Sequence, residues 1–203
     1  EVYSASPEHK SALRKHLPLL EALVDHHDSD DVIYGFRKGR NPVLNAFQHV
    51  GFDFTLSMDL ADFFGHVRPH HVLDLVPQVI VEECFFFDGI APQGLPTSPA
   101  IANVAFTPAD KAIVQELAAL SSDIVYTRYA DDLTFSFNER RFSPKIDVFV
   151  NRIARAQGFS VNKSKTRFQN AKNGRIIVTG VGVDRHGVHP TRKTLKRMRA
   201  AQH

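Results

Sequence analysis

From Ile124 to Phe137 two strand-like runs are split by a pair of acids, in the order Tyr129-Ala130-Asp131-Asp132-Leu133-Thr134-Phe135-Ser136. Aromatic and β-branched residues on both sides favour strands, whereas adjacent carboxylates repel each other and are poor strand formers. The pattern predicts a hairpin with both acids at its tip. Carboxylates set between buried strands are costly unless a cation neutralises them. Clustered oxygen ligands are what Mg2+ requires. The same dipeptide at Asp30-Asp31 lies in a polar stretch, where we expect it to be solvated.

The chain has 203 residues, enough for one substantial core with an appended subdomain. Net charge is only +3, so the distribution of charge says more than the total. From Arg152 to Arg199 basic residues outnumber acids, which suits either a phosphate backbone or a solvated helix face. A single cysteine, Cys84, excludes an intrachain disulfide and fits a reducing compartment. With no secretory signal and no apolar run of the roughly 18 residues a membrane helix needs, a cytoplasmic protein without membrane contact is expected. His26-His27, His70-His71, His186 and His189 lack zinc-ligand spacing with a cysteine.

Leucines at helical spacing predict one helix over 7–27, and Asn41 to Gly51 a short one. Phe52 to Leu60 alternates like a strand that reaches Asp59. Helices are expected over 69–83, over 98–120 with a break near Pro108, and over 143–157. Short strands follow at 176–183 and 187–189, then a basic helix capped by Thr191. This order predicts an α+β fold, an antiparallel sheet with helices packed on one face.

A second acid motif, Ser57-Met58-Asp59-Leu60-Ala61-Asp62-Phe63-Phe64, places Asp59 at a strand end. If the two strands are neighbours, Asp59, Asp131 and Asp132 converge. Three carboxylates around two divalent ions suit in-line phosphoryl transfer. The structural alternative makes Asp59 a helix cap and the acid pair a simple turn. Between the motifs lies Pro92-Gln93-Gly94-Leu95-Pro96-Thr97-Ser98-Pro99, a rigid turn running into a helix start that would favour anions.

In this order and spacing, the pieces resemble a reverse transcriptase, an RNA-directed DNA polymerase, of the bacterial retron type. Asn45-Ala46-Phe47-Gln48-His49 is similar to that group's NAxxH pattern and Val178-Thr179-Gly180 to its VTG pattern. Tyr126-Thr127-Arg128 before YADD is typical too. The resemblance runs from about residue 34 to 199. It implies a polymerase palm over 52–183, partial fingers over 1–51, and the primer-grip end and start of a thumb over 184–203. It further implies that Asp59, Asp131, Asp132 and the Leu60 carbonyl hold two Mg2+ ions, with Mn2+ a substitute. Lys165, in preference to Lys163, would stand near the leaving pyrophosphate. Asp62, Phe63, Phe64 and Gln93 would meet the incoming dNTP, with Phe64 excluding a 2′-hydroxyl. Ser98 and Pro99 would lie along the template; Tyr129, Val178, Thr179 and Gly180 would hold the primer. Asn45 and His49, one helical turn apart, would either take part in recognising a structured noncoding RNA or support the palm by hydrogen bonding. The implied partners are that RNA as template and primer, the RNA–DNA hybrid, dNTPs and a defence effector protein. The implied product is branched RNA–DNA made in antiphage defence.

The pattern departs from the family at both ends. A basic finger hairpin normally precedes the helix at 8–27, and Arg37, Lys38 and Arg40 are its partial stand-ins here. Only the first helix of a thumb follows the primer grip. Two other readings stand beside this one: another bacterial defence or group II intron-type reverse transcriptase, and a catalytically idle RNA-binding scaffold. Phe64 disfavours an RNA polymerase or primase.

Overall fold

Alternation along three strands sorts the central sheet into two unlike faces. The computed structural model describes residues 5–84 and 89–200; the last residues of the expected thumb start, 201–203, lie outside them. Strands β1 (Phe54–Leu60), β2 (Val125–Tyr129), β3 (Asp132–Phe137) and β4 (Val161–Asn170) form an antiparallel sheet in the order β2-β3-β1-β4. Successive side chains point to opposite faces. On one face the register lines up Leu56 with Phe135 and Tyr126, and Met58 with Leu133 and Arg128. On the other it lines up Ser57 with Thr134 and Thr127, and Asp59 with Asp132 and Tyr129.

The apolar face is covered by α6 (Ser98–Leu120) and α7 (Phe142–Ala156), and α6 is backed by α2 (Leu17–His27). Leu56, Met58, Leu133, Phe135, Phe106, Ile113, Ile146 and Val150 join one buried core. The hydroxyl-rich face meets α3 (Pro42–Phe47) and a small sheet of β5 (Ile176–Val178), β6 (Val181–Val183) and β7 (Val188–His189). That sheet has its own core of Ala46, Ile176, Val178 and Val183. The remaining helices are α1 (Pro7–Arg14), α4 (Phe63–His66), α5 (Gln78–Cys84) and α8 (Arg192–Ala200). The Thr191 hydroxyl caps α8 by accepting from the Thr194 N–H at 3.3 Å.

Three expectations about helices change. The helix expected over 7–27 is two helices jointed at Lys15-His16, because Pro18 has no N–H to continue the ladder. The helix expected over 69–83 is a single 3-10 turn, Pro69–His71, followed by α5 beyond Pro77. Conversely, α6 runs through Pro108 unbroken. Burial of Val104, Ala105, Ala109 and Ile113 offsets the missing hydrogen bond. Among the described residues no helix is long and apolar enough to cross a membrane.

Candidate active site

The acids meet because strand register makes them meet. Asp59 and Asp132 are register partners across β1 and β3. Asp131 sits beside them in a two-residue loop, Ala130-Asp131, closing the β2–β3 hairpin between Tyr129 and Asp132. Ala130 takes a positive φ of 58°, as the first central residue of mirror-image hairpin turns must. Such a conformation is strained for a residue with a Cβ. Three neighbours hold it. The Leu60 N–H donates to the Asp131 carbonyl at 2.9 Å. The Tyr34 and Arg128 N–H groups donate to the Arg128 and Val32 carbonyls, both at 2.7 Å, laying residues 32–34 along β2. Gly35 then lies against the turn, where a Cβ would stand 2.9 Å from the Tyr129 carbonyl carbon and closer still to the Ala130 nitrogen.

Beneath the hairpin is a buried network absent from the sequence reading. Arg128, fully buried, donates from Nε and Nη2 to both oxygens of Asp110 on α6 (2.7–3.0 Å) and from Nη1 to Asn103 Oδ1 at 2.8 Å. The Tyr126 hydroxyl donates to Asp110 at 2.7 Å, and burial, then Asp110, pushes that phenol well above its usual range. Asn103 Nδ2 donates to the Gly35 carbonyl at 2.9 Å. The hint in the sequence was parity: Arg128 occupies a position whose strand neighbours on that face are apolar.

The acid cleft is walled by Asp59, Asp132, Tyr129, Lys165, Arg167, Gln169, Thr179 and Gly180, with a volume of about 440 Å³. Burial raises the Asp132 carboxyl to about 6, helped by the charges of Asp131 and Asp59. Burial, then Asp59, raises Asp131 as well. The Lys165 ammonium donates to Asp59 Oδ2 at 3.1 Å, and this bond raises its own pKa. Asp59 Oδ1 lies 3.0 Å from the same ammonium but accepts no hydrogen bond. Among the described residues no three ligating side chains are already drawn into a coordination shell. Mutually repelling carboxylates are expected to stand apart until a cation joins them. The donor set fits a hard divalent ion: three carboxylates, one with an unbonded buried oxygen, and two of them held above their ordinary pKa by burial and by neighbouring carboxylate charge.

Lys165 is separated from Lys163 by a bulge. Between paired positions β1 takes two steps, Ser57 to Asp59, while β4 takes five, Arg167 to Asn162. The extra residues send Lys165 to Asp59 and leave Lys163 lining a different groove.

Other expected residues lie elsewhere. Asn45 and His49 are both fully buried, their side chains turned to other residues and not to solvent. His49 bridges the Ser136 hydroxyl (Nδ1, 2.9 Å) and the Thr127 hydroxyl (Nε2, 2.7 Å), and burial lowers its pKa to about 3. Asn45 Nδ2 donates to Thr179 Oγ1 at 3.3 Å, and Thr179 donates to the Pro42 carbonyl at 3.2 Å. The two motifs are thus joined to each other. Val178 is buried behind the turn, and Thr179 has a positive φ of 45°. Ser98 is buried with its hydroxyl donating to the Pro92 carbonyl at 2.7 Å, so it closes the preceding turn; Pro99 is half-buried. Gln93 is exposed and does not line the cleft. Phe63 is core, and Phe64 packs edge-on to Phe36 with centroids 6.0 Å apart. Asp62 precedes α4 with φ 43° and ψ 50°. Arg37 pairs with Asp28 and Asp25, and Arg40 pairs with Asp31 and stacks on Tyr34, so two of the three finger stand-ins are engaged structurally. Cys84 is buried.

An antiparallel sheet backed by helices on one face, with acids at one end of the other, is a palm-like α+β arrangement. Residues 11–189 match the family described as reverse transcriptase (RNA-dependent DNA polymerase), and the chain belongs to that family. Its sequence is similar to those of bacterial retron reverse transcriptases. It is 31% identical to the retron Ec86 reverse transcriptase of Escherichia coli over 91% of this chain and 59% of that protein. It is 30% identical to the retron Mx162 enzyme of Myxococcus xanthus over 100% and 49%, and 32% identical to the Escherichia coli retron Ec73 enzyme over 78% and 57%. The chain thus spans about half the length of these relatives. Among solved structures, apo telomerase from Candida tropicalis, truncated from the C-terminal domain, superposes with a TM-score of 0.62 at 13% identity, over 89% of this chain and 45% of that one. Telomerase from Candida albicans with a fragment of telomeric RNA gives 0.55 at 14%, over 95% and 34%. These structures share the palm-like α+β fold.

Proposed function

We propose that the chain is the catalytic core of a retron-type RNA-directed DNA polymerase, with palm, partial fingers and thumb start divided as the resemblance implies. The observation that carries this reading is one cleft walled by Asp59, Asp132, Lys165 and the Thr179-Gly180 turn, with Asp131 in the adjoining hairpin loop. Asp59, Asp131, Asp132 and the Leu60 carbonyl would hold two divalent ions, Mg2+ or Mn2+. Bound there, such ions lower the pKa of an attacking hydroxyl and stabilise charge on the leaving pyrophosphate. Attack of the primer hydroxyl on the α-phosphorus of a dNTP would form the new ester bond as the bond from that phosphorus to the oxygen bridging to the β-phosphate breaks, the hydroxyl's proton passing to water. Lys165, released from Asp59, stands within the cleft to give its proton to the departing pyrophosphate. Tyr129, Val178, Thr179 and Gly180 would position the primer. Asp62, Phe63, Phe64 and Gln93 would meet the dNTP, Phe64 blocking a 2′-hydroxyl. Pro99 would border the template, with Ser98 setting its turn. Asn45 and His49 act by holding the primer-grip turn and the sheet in place. The template and primer would belong to one structured noncoding RNA, yielding branched RNA–DNA for antiphage defence with an effector protein.

The test is primer extension on an RNA template with Mg2+ and dNTPs, with Asp131→Asn as control. Extension abolished by the substitution supports the reading. RNA binding without extension by the unaltered, folded chain points instead to an RNA-binding scaffold.

A further inference from the structure

The β4 edge of the sheet carries a second groove, on the face opposite the acids. Leu56 and Phe168 are register partners, each one residue from a cleft-lining neighbour, Ser57 and Arg167. Alternation therefore puts them on the helix side. There, between β4 and the start of α7, lies an open groove of about 880 Å³ lined by Leu56, Arg140, Arg141, Asp147, Lys163 and Phe168. Three cations and one acid line it; Arg141 is paired with Glu139 at 2.6 Å, which leaves Arg140 and Lys163 as the cations to meet a ligand. Phe168 is 40% exposed although a flat ring on this face has core to join. Its ring stacks on Phe54, with centroids 5.6 Å apart and planes at 19°. The Arg140 guanidinium stands 5.6 Å from its centroid. The bulge in β4 delivers Lys163 here while Lys165 goes to the acids.

An exposed aromatic ring ringed by guanidinium and ammonium groups suits an unpaired nucleobase with its flanking phosphates. Any base offers a face to stack, arginine adds a cation–π term, and the cations take the backbone. A paired duplex stacks its bases internally and has no such face to give. A peptide partner would find a short apolar strip of Leu56, Pro144 and Phe168 among charged and hydroxyl groups.

We propose that this groove is a second binding site, for a single-stranded RNA segment, separate from the acid cleft. The choice of RNA rests on the polymerase reading, the segment being part of the structured RNA that lies outside the template–primer duplex.

The test measures binding of a short labelled oligouridylate to the full chain and maps its ultraviolet cross-links. It compares Arg140→Glu/Lys163→Glu, Phe168→Leu and a cleft variant, Arg167→Glu. Both groove variants are expected to weaken binding by roughly tenfold at low salt, and the charge-reversed pair to lower the salt slope by at least about 1.4, at ~0.7 per cation lost. Cross-links in the unaltered chain should fall on β4 and the start of α7. Extension of a short pre-annealed primer–template duplex should be unchanged in the two groove variants. Unchanged affinity in both groove variants, loss only with Arg167→Glu, or cross-links confined to the cleft would overturn the proposal. So would capture of a protein at the groove with RNA affinity unaltered. Cross-linking uses the unaltered chain, so misfolding of a variant cannot hide the answer. If the unaltered chain fails to extend a duplex, the polymerase reading falls while the binding result at the groove is read separately.

Discussion

At the scale of single residues, the acid cluster is held against its own repulsion. Asp132 is raised to about 6 by burial and by its two acidic neighbours. The folded state then keeps that proton to a higher pH than the unfolded chain, whose Asp titrates near pH 4. Stability of the metal-free protein should therefore fall as pH rises from about 4 to about 6 and stay lower above that window. Asp132→Asn removes the fall: at pH 7 without metal it should be the more stable protein, by on the order of 1–2 kcal/mol, with the gap closing below pH 4. Thermal melts across pH check this, and a gap of opposite sign would sink it. The same variant should lose primer extension. Gly35 works through contact. Gly35→Ala pushes its methyl into the Tyr129–Ala130 backbone, displacing the turn that carries Asp131. Extension should drop by roughly a hundredfold or more, the scale on which a misplacement of about 1 Å acts, with the chain still folded by circular dichroism.

At the scale of elements, α3 and β4 join the small sheet to the large one. From α3, Asn45 reaches Thr179, and from the turn just after it His49 reaches Thr127 and Ser136. From β4, the Gln169 amide accepts from the Ile177 N–H at 2.8 Å and donates to its carbonyl at 2.9 Å, so a side chain acts as a strand. Gln169→Leu removes both bonds and frees the turn that lines the cleft opposite the acids. The apparent KM for a primer–template duplex should rise several-fold with kcat less affected, and Gln169→Glu, which keeps the acceptor, should recover part of the loss; an unchanged KM would show that the turn does not need this link. Much of this layer was legible in the sequence. The hairpin at 124–137, the strand into Asp59 and the long helix from Ser98 follow from periodicity and turn chemistry. β4 was not legible, because Asn162, Lys163, Ser164, Lys165, Thr166 and Arg167 give no alternation on a bulged, solvent-facing edge. Lys165 was found there by motif. Asp110, Asn103 and Gly35 were missed because each looks ordinary until the fold sets it against Arg128 or Ala130.

At the scale of the whole molecule there are two cores of unequal size. The large one spans α2, α6, α7 and β1–β3, whereas Ala46, Ile176, Val178 and Val183 form a small satellite. Local opening costs less where fewer apolar groups are buried. Backbone amides of β5 and β6 should exchange with deuterium at least roughly tenfold faster than those of Met58 and Leu133, and protection should rise at Thr179–Val181 once primer–template is bound. Equal protection in the free protein would show a single cooperative unit. The Arg128–Asp110 pair has a consequence for timing. It lies wholly inside the core, and the turn bearing Asp131 is propped on it. Until α6 has docked and the guanidinium has lost its water, the loop that carries Asp131 lacks this prop, the Arg128 Nη1 bond to the Ala130 carbonyl at 3.3 Å. If the chain is the polymerase proposed above, its chemistry on RNA would then be greatest in copies that have finished folding and weaker in nascent or partly unfolded ones.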